Sequence, residues 1–334
     1  MNDRISAIAS DRRTWLVTGG AGFIGSHLVE RLLSLGQRVR VMDSFVTGHR
    51  RNLAEAARGH EQALEVIEGD IRSLDACREA VRGSDVILHQ AALGSVPRSI
   101  EDPLATHATN VTGFLNVLQA ARDQGVRRVV YASSSSVYGD HPGLPKVEDL
   151  IGRQLSPYAV SKYADELYAH AFGLAYGMEL LGLRYFNVFG PRQDPNGPYA
   201  AVIPLWFRSL LEGSPVFVNG DGETSRDFCY VENVVGANLL AATTANPEAP
   251  GKVYNVAVGD RTTLLQLFDA IRAQVNRFRP AAADARPIHR PERAGDVRHS
   301  LADVSRARSL LGYDPAVKVV EGLARAAEWY RANG

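Results

Sequence analysis

Tyr158 and Lys162 stand four residues apart in Ser156-Pro157-Tyr158-Ala159-Val160-Ser161-Lys162, and on a helix that spacing sets both side chains on one face. A free tyrosine titrates near pH ~10 and is a poor base at neutral pH. A neighbouring ammonium favours the phenolate, so the pair can act as a general base near neutrality. The consecutive serines Ser133 to Ser136 are a second resource, because a hydroxyl beside such a base can relay or share its proton. Tyr-x-x-x-Lys is common by chance, and a surface pair is its ordinary reading. Lysine usage weighs against that here: among 37 basic residues only Lys146, Lys162, Lys252 and Lys318 are lysines.

Short β-branched runs alternate with helical stretches through the first half and would position these groups. Strands are expected at Thr14–Thr18, Arg38–Met42, Leu64–Ile67, Val86–Leu88, Arg128–Ala132 and Leu180–Tyr185. Helices are expected from Gly25 to Leu35, Thr106 to Gln124 and Tyr158 to Tyr176, with Gly36 capping the first. Such alternation means βαβ units with a parallel sheet covered on both faces. The serine run then sits at the C-terminal edge of that sheet, where ligands bind. After Asn187 turn signals crowd together, and Val253–Val256 reads as a strand returning to the first sheet. The expected fold is α/β, a Rossmann-type doubly wound parallel sheet over residues 1–188, with later strands returning near 227–257. A smaller C-terminal α/β domain occupies 189–334, with a loop from Phe278 to Arg290.

Between the first strand and helix lies Thr18-Gly19-Gly20-Ala21-Gly22-Phe23-Ile24-Gly25, the context that makes a glycine pattern informative. Gly19 permits the tight turn, Gly22 lets the backbone approach a pyrophosphate at the helix N-terminus, and Gly25 lets the helix pack close to the sheet. Asp43, eighteen residues after Gly25, can accept from the adenosine ribose hydroxyls and repel a 2′-phosphate, which favours NAD over NADP even with Arg50 and Arg51 nearby. Asp70 follows the third strand where an adenine edge would be read, and Ala91-Ala92 leave room for the cofactor backbone. An oxidised nicotinamide adds to the positive field that favours the Tyr158 phenolate.

Together the glycine pattern, the serines before Val137-Tyr138-Gly139 and Tyr158/Lys162 resemble an extended short-chain dehydrogenase/reductase. His89-Gln90-Ala91-Ala92-Leu93-Gly94-Ser95-Val96-Pro97-Arg98-Ser99, Tyr185 to Gly190, Gly220 to Tyr230 and Gly295 to Ser300 are similar to bacterial UDP-N-acetylglucosamine 4-epimerases. The resemblance runs from about Thr14 to Tyr330. It implies that Tyr158 takes the sugar 4-hydroxyl proton while C4 gives hydride to NAD, the 4-keto sugar turning over before the return. It implies Lys162 on the nicotinamide ribose and Ser134 sharing the proton, with Ser135 and Ser136 near the sugar. Phe23, Ile24, Ser44, Gly48, Ile71, Gln90, Tyr185 and Val188 join the implied cofactor site. Gly94, Ser95, Asn187, Ala201, Val202 and Asn219 join the substrate site, Arg226 and Arg293 clamp the diphosphate, and Asp296 accepts from the uridine ribose. Ser300 stands where relatives restricted to UDP-glucose and UDP-galactose carry a bulky aromatic, which implies room for a 2-acetamido group. Ser44 departs from the family's usual Asn. Dehydratases and decarboxylases on this scaffold carry an acid just before Val-Tyr-Gly, where this chain has Ser135 and Ser136.

Rival readings use the same residues. A 4-epimerase of UDP-N-acetylglucosaminuronic and UDP-N-acetylgalactosaminuronic acid would set Arg98, Arg298 or His299 against a C6 carboxylate, and a non-catalytic NAD-sensing protein would keep the scaffold without turnover. Equal counts of basic and acidic residues, 37 each, argue against a nucleic-acid partner held by a general positive field. Two cysteines, no signal-like start and no long apolar run point to a cytoplasmic protein without a membrane partner. His and Cys show no metal-ligand spacing, and His89 reads as a satisfied core residue. Relatives pair the helices corresponding to Thr106–Gln124 and Tyr158–Tyr176 across a two-fold, which implies a homodimer through a four-helix bundle.

Overall fold

Apolar runs buried on both faces make the centre of the molecule. In the computed structural model, which describes residues 3–196, 200–292 and 297–333, Trp15, Leu16 and Val17 of Thr14–Thr18 (β1) have no exposed surface. Arg38–Asp43 (β2), Leu64–Glu68 (β3), Val86–His89 (β4), Arg128–Ser134 (β5), Glu179–Tyr185 (β6) and Val253–Val256 (β7) complete one sheet. Its order is β7-β6-β5-β4-β1-β2-β3, parallel throughout. The order reverses between β1 and β4, which opens a crevice at the strands' C-terminal ends. β2 and β5 run on to Asp43 and Ser134, so both chemistry-bearing residues stand on strand ends facing that crevice.

Phe23–Ser34 (α1), Gly113–Asp123 (α2), Pro157–Tyr176 (α3) and Val231–Thr243 (α4) cover the sheet. Leu28, Val29 and Leu32 of α1 pack with Val234 and Leu239 of α4 against Trp15 and Val17. Phe114 and Val117 of α2 and Ala169 of α3 pack with Leu16, Ile87 and Val129 on the other face. The start of α3 is sharply defined: Ser156 accepts from the Ala159 N–H at 3.1 Å and Pro157 occupies the first turn, the two residue types that suit those places. Gly177, at φ 65°, ends it.

Two expectations need correction. Thr106–Gln124 is helical as far as Asp123 but not regular: Pro103–His107 runs without a break into a π-helical turn at Ala108–Thr112, which continues as α2. The widened turn carries buried Asn110, whose side chain binds the Leu93 N–H at 2.8 Å and Ser161 Oγ at 2.9 Å; π-turns commonly re-aim a side chain in this way. The stretch Phe278–Arg290 is not all loop either. Pro280–Asp284 forms a 3₁₀ turn, and Ile288–Arg290 pairs in parallel with Phe217–Asn219. Three residues are too short for a readable pattern, and long-range pairing decides the conformation.

A further apolar cluster joins Val202–Glu212, Leu264–Asn276 and Val319–Asn333 around Trp206, Phe207, Phe268 and Tyr330. Among the described residues no helix is long and apolar enough to cross a membrane.

Candidate active site

The glycine loop is compressed to the limit of its chemistry. A Cβ on Gly25 would lie 2.1 Å from the Gly19 carbonyl oxygen, and one on Gly19 would lie 2.7 Å from the Ala91 nitrogen. Gly19 also holds φ at 68°, which favours glycine. The steric need for Gly25 therefore comes from the loop itself rather than from closeness to the sheet. Asp43 steadies this loop, accepting from the Ala21 N–H at 2.9 Å and the Phe45 N–H at 2.8 Å. Arg50 is committed elsewhere, paired with Glu68 and with its guanidinium 4.0 Å from the Phe45 ring centre. Asp70 receives two bonds from the Arg72 guanidinium, at 2.9 and 2.6 Å, which hold its carboxyl below the usual range.

These residues border a cavity of about 900 Å³ whose walls include Gly19, Gly22, Phe23, Ile24, Gly25, Asp43, Ser44, Gly48, Asp70, Ile71, Gln90, Ala91, Ala92, Tyr185 and Val188. A cradle that side chains would fill, at the mouth of α1 with a carboxylate on the next strand, fits a dinucleotide such as NAD. Tyr158, Lys162, Ser134, Ser135, Ser136, Gly94 and Ser95 line the same cavity.

At its floor the Lys162 ammonium, only 2% exposed, donates to the Ala132 carbonyl at 2.9 Å and to Asp165 Oδ2 at 3.1 Å. Burial pushes the Asp165 carboxyl up to about 7 against the pull of Lys162. His89 is held neutral, its titration lowered to about 3 by burial and by the Lys162 charge. It pairs through Nδ1 with Thr18 Oγ1 at 2.8 Å, while Nε2 is buried without a hydrogen bond among the described residues. The expected satisfied core histidine is thus half satisfied.

The four serines part company. Ser133 Oγ donates to Glu166 Oε1 at 2.6 Å, and Glu166 is further held by two bonds from Arg184, at 2.8 and 2.7 Å. Ser134 Oγ instead donates to Ser136 Oγ and accepts the Ser136 N–H, both at 3.1 Å.

A second cavity of about 390 Å³ continues from the first and shares Asn187, Val188, Gln193, Ala200 and Ala201 with it. Val202, Asn219 and Arg226 line it, as do Trp206, Phe217 and Phe228, which sequence reasoning missed. Arg226 Nη1 donates to the Ser225 and Arg298 carbonyls at 3.0 and 3.3 Å. Ser300 is not in either wall; its N–H bonds the Ser225 carbonyl at 3.0 Å. Arg293 and Asp296 lie outside the described residues.

The sequence reading also passed over Asn238, which donates to the Tyr185 hydroxyl at 2.9 Å and accepts from the Gln90 amide at 3.1 Å. The readable signal was an amide within the apolar run of α4, since buried amides need partners.

Comparison with known proteins places the chain. The model of the "NAD dependent epimerase/dehydratase family" matches residues 15–257. The UDP-glucose 4-epimerase of Mycolicibacterium smegmatis is 38% identical over 318 residues, which cover 95% of this chain and 98% of that protein. Among solved structures, the UDP-N-acetylglucosamine 4-epimerase of Methanobrevibacter ruminantium M1, in complex with UDP-N-acetylmuramic acid, superposes with a TM-score of 0.89 at 36% identity, covering 97% of this chain and 99% of that one. The UDP-glucose 4-epimerase of Thermus thermophilus in complex with NAD gives 0.82 at 35% identity, covering 95% and 99%. With its family model matched from β1 to the end of β7, and with relatives aligned along nearly their whole length, the chain belongs to the NAD-dependent epimerase/dehydratase family, as an enzyme of the extended short-chain dehydrogenase/reductase type.

Proposed function

We propose that the protein is an NAD-dependent UDP-sugar 4-epimerase that interconverts UDP-N-acetylglucosamine and UDP-N-acetylgalactosamine. The observation that carries this reading is the continuity of the two cavities. Tyr158, Ser134 and Lys162 border the first, next to the glycine cradle, while Asn187 and Ala201 lead into the second, with Arg226 at its wall. A nucleotide diphosphate seated by Arg226 in the aromatic-lined second cavity leaves the sugar extending toward Tyr158.

Bound NAD supplies the acceptor and donor of hydride. Tyr158 takes the proton from the sugar 4-hydroxyl and later returns it, and Ser134 shares that hydrogen bond. The Lys162 ammonium favours the phenolate and donates to the nicotinamide ribose. The backbone near Gly94 and Ser95 leaves room for the 4-keto sugar to turn over, so that hydrogen returns to the opposite face. Asp43 accepts from the adenosine ribose, and Asn219 together with the backbone at Ala201 and Val202 borders the uracil. Arg293 and Asp296 are proposed contacts to the diphosphate and uridine ribose on the strength of the sequence alone.

One observation favours the uronic-acid reading as the second choice. Arg98 lines the first cavity beside Gly94 and Ser95, where a C6 carboxylate would meet it; Arg298 lines the second cavity and is bonded to Asp221 at 2.6 Å, and His299 is bonded to Ser225 at 2.9 Å. The chain acts as a homodimer: Val160, Leu167 and Leu174 expose a stripe at seven-residue intervals along α3, with Ile100 and Leu104 exposed on the preceding short helices.

The test is turnover by the purified protein without added NAD, comparing UDP-N-acetylglucosamine, UDP-glucose and their uronates by kcat/KM. The proposal expects the N-acetylated neutral sugar to lead. A lead for the uronate selects the second reading. Retained NAD with no turnover of any of them selects the NAD-sensing protein.

A further inference from the structure

Lys162 has two sides. One borders the cavity with Tyr158; the other is held from beneath by Asp165, three residues along α3, whose Oδ2 lies 3.1 Å from the ammonium. The two side chains are 2% and 1% exposed, so water does little to screen the attraction between them. Asp165 Oδ1 makes no hydrogen bond among the described residues, which leaves Lys162 as the partner that holds this carboxylate.

The surrounding groups do not replace it. Glu166, next on α3, is occupied by Arg184 of β6 and Ser133 of β5. Tyr131 of β5 lies within electrostatic reach and is pushed well above its ordinary range by burial, with Glu166 and Asp165 adding to the shift. His89 of β4 is neutral and adds no cation.

We propose that Asp165 is a positioning residue for epimerisation, anchoring the Lys162 ammonium to the cavity floor and drawing on the charge that Lys162 otherwise lends to Tyr158. This rests on the reading of Tyr158 as the base and Lys162 as its cation. Two anions then share one buried cation. Protonating Asp165 turns the whole ammonium charge toward Tyr158, and removing that proton divides it again. Burial places the Asp165 titration at about 7, within the range where the phenolate has to work. As pH falls, Asp165 takes up a proton and so opposes protonation of Tyr158. Coupled sites of this kind titrate over a wider span than a single group.

The experiment follows the near-ultraviolet phenolate absorbance of the NAD-loaded protein against pH, as wild type minus Tyr158→Phe, and repeats it in an Asp165→Asn background. The expected result is a shallow transition in the Asp165 protein. In Asp165→Asn it becomes a one-proton transition with its midpoint about 0.5–1 pH unit lower, a fraction of what a directly adjacent charge produces. The acid limb of kcat moves with it. Asp165→Ser gives the same readout if the Asn variant does not fold, and retained NAD with an intact thermal transition verifies folding. A midpoint and slope unchanged in the variant, or a midpoint moved upward, overturn the inference while leaving Tyr158 as base. No phenolate signal in the wild-type difference removes the base reading, and the inference with it.

Discussion

Ser133 and Glu166 are joined by a 2.6 Å hydrogen bond beneath the cavity, and this bond decides which serine is available for chemistry. Glu166 also neutralises Arg184, only 3% exposed, so the Ser133 hydroxyl belongs to a buried network whose members all need one another. Ser134, next along β5, keeps its hydroxyl at the cavity wall with Ser136.

The two serines are therefore expected to separate on mutation. Ser134→Ala lowers kcat by roughly 10- to 100-fold with little change in melting, as loss of a proton-sharing group does. Ser133→Ala lowers stability by about 1.5–3 kcal/mol, the range for hydrogen bonds to charged groups, and costs kcat much less. Steady-state kinetics beside urea unfolding check both; equal losses of kcat in the two variants would contradict the division.

Gly25→Ala places a methyl group where the Gly19 carbonyl oxygen already lies 2.1 Å away. The loop must open to admit it, and the cradle is lost. The purified variant is expected to retain far less than one NAD per chain, with a stability cost of about 1–3 kcal/mol typical of overpacking. Absorbance of the cofactor released on denaturation measures the first, and chemical unfolding the second.

His89 governs part of the acid response. Its titration is lowered from 6.5 to about 3 by burial and then by the Lys162 charge, so the unfolded chain binds more protons between those values. The stability it contributes is present above pH 6.5 and is lost as pH falls toward 3. Asp165 and Asp227 act in the opposite sense, raised by burial to about 7 and about 6, so their contribution is present below 3.8 and lost as pH rises through those values. Subtracting the unfolding free energies of His89→Gln from those of the wild type across pH 3–7 cancels the aspartates. The difference is expected to favour the wild type progressively as pH rises, by about 1.4 kcal/mol for each pH unit crossed between the two titrations; a flat difference would show that His89 does not titrate in this way.

Leu167 and Leu174 are 54% and 76% exposed on α3, one heptad apart on the stripe proposed as the subunit contact. Leu167→Glu is expected to convert the proposed dimer into monomers in light scattering at micromolar concentration, with NAD retained. An unchanged mass would place the subunit contact elsewhere.

Much of the cavity lining was legible in the chain because its parts are local. The four-residue interval of Tyr158 and Lys162 needs only a helix, and Ser156-Pro157 begins one. Gly19, Gly22 and Gly25 need only a strand, a turn and a helix in succession, and Asp43 needs only to end β2. The expected strands were correct for the same reason: short apolar and β-branched runs, buried on both faces at the centre of the sheet though not in edge strand β3, have few alternative structures.

The amino-acid sequence alone thus determined the pattern of strands, the glycine loop between β1 and α1 and the one-turn interval of Tyr158 and Lys162 on α3, all set by interactions within a few residues or by the alternation of βαβ units. Tertiary structure decided what depends on distant partners. It engaged the Ser133 hydroxyl with Glu166, 33 positions on, and widened the turn at Asn110 to reach Leu93 and Ser161. It paired Ile288–Arg290 with Phe217–Asn219 and collected Asn187, Ala201, Asn219 and Arg226 around one cavity. Burial, finally, made the Asp165 carboxylate a rival for the Lys162 charge, because attraction between two ions becomes strong only where packing has removed the water between them and around them.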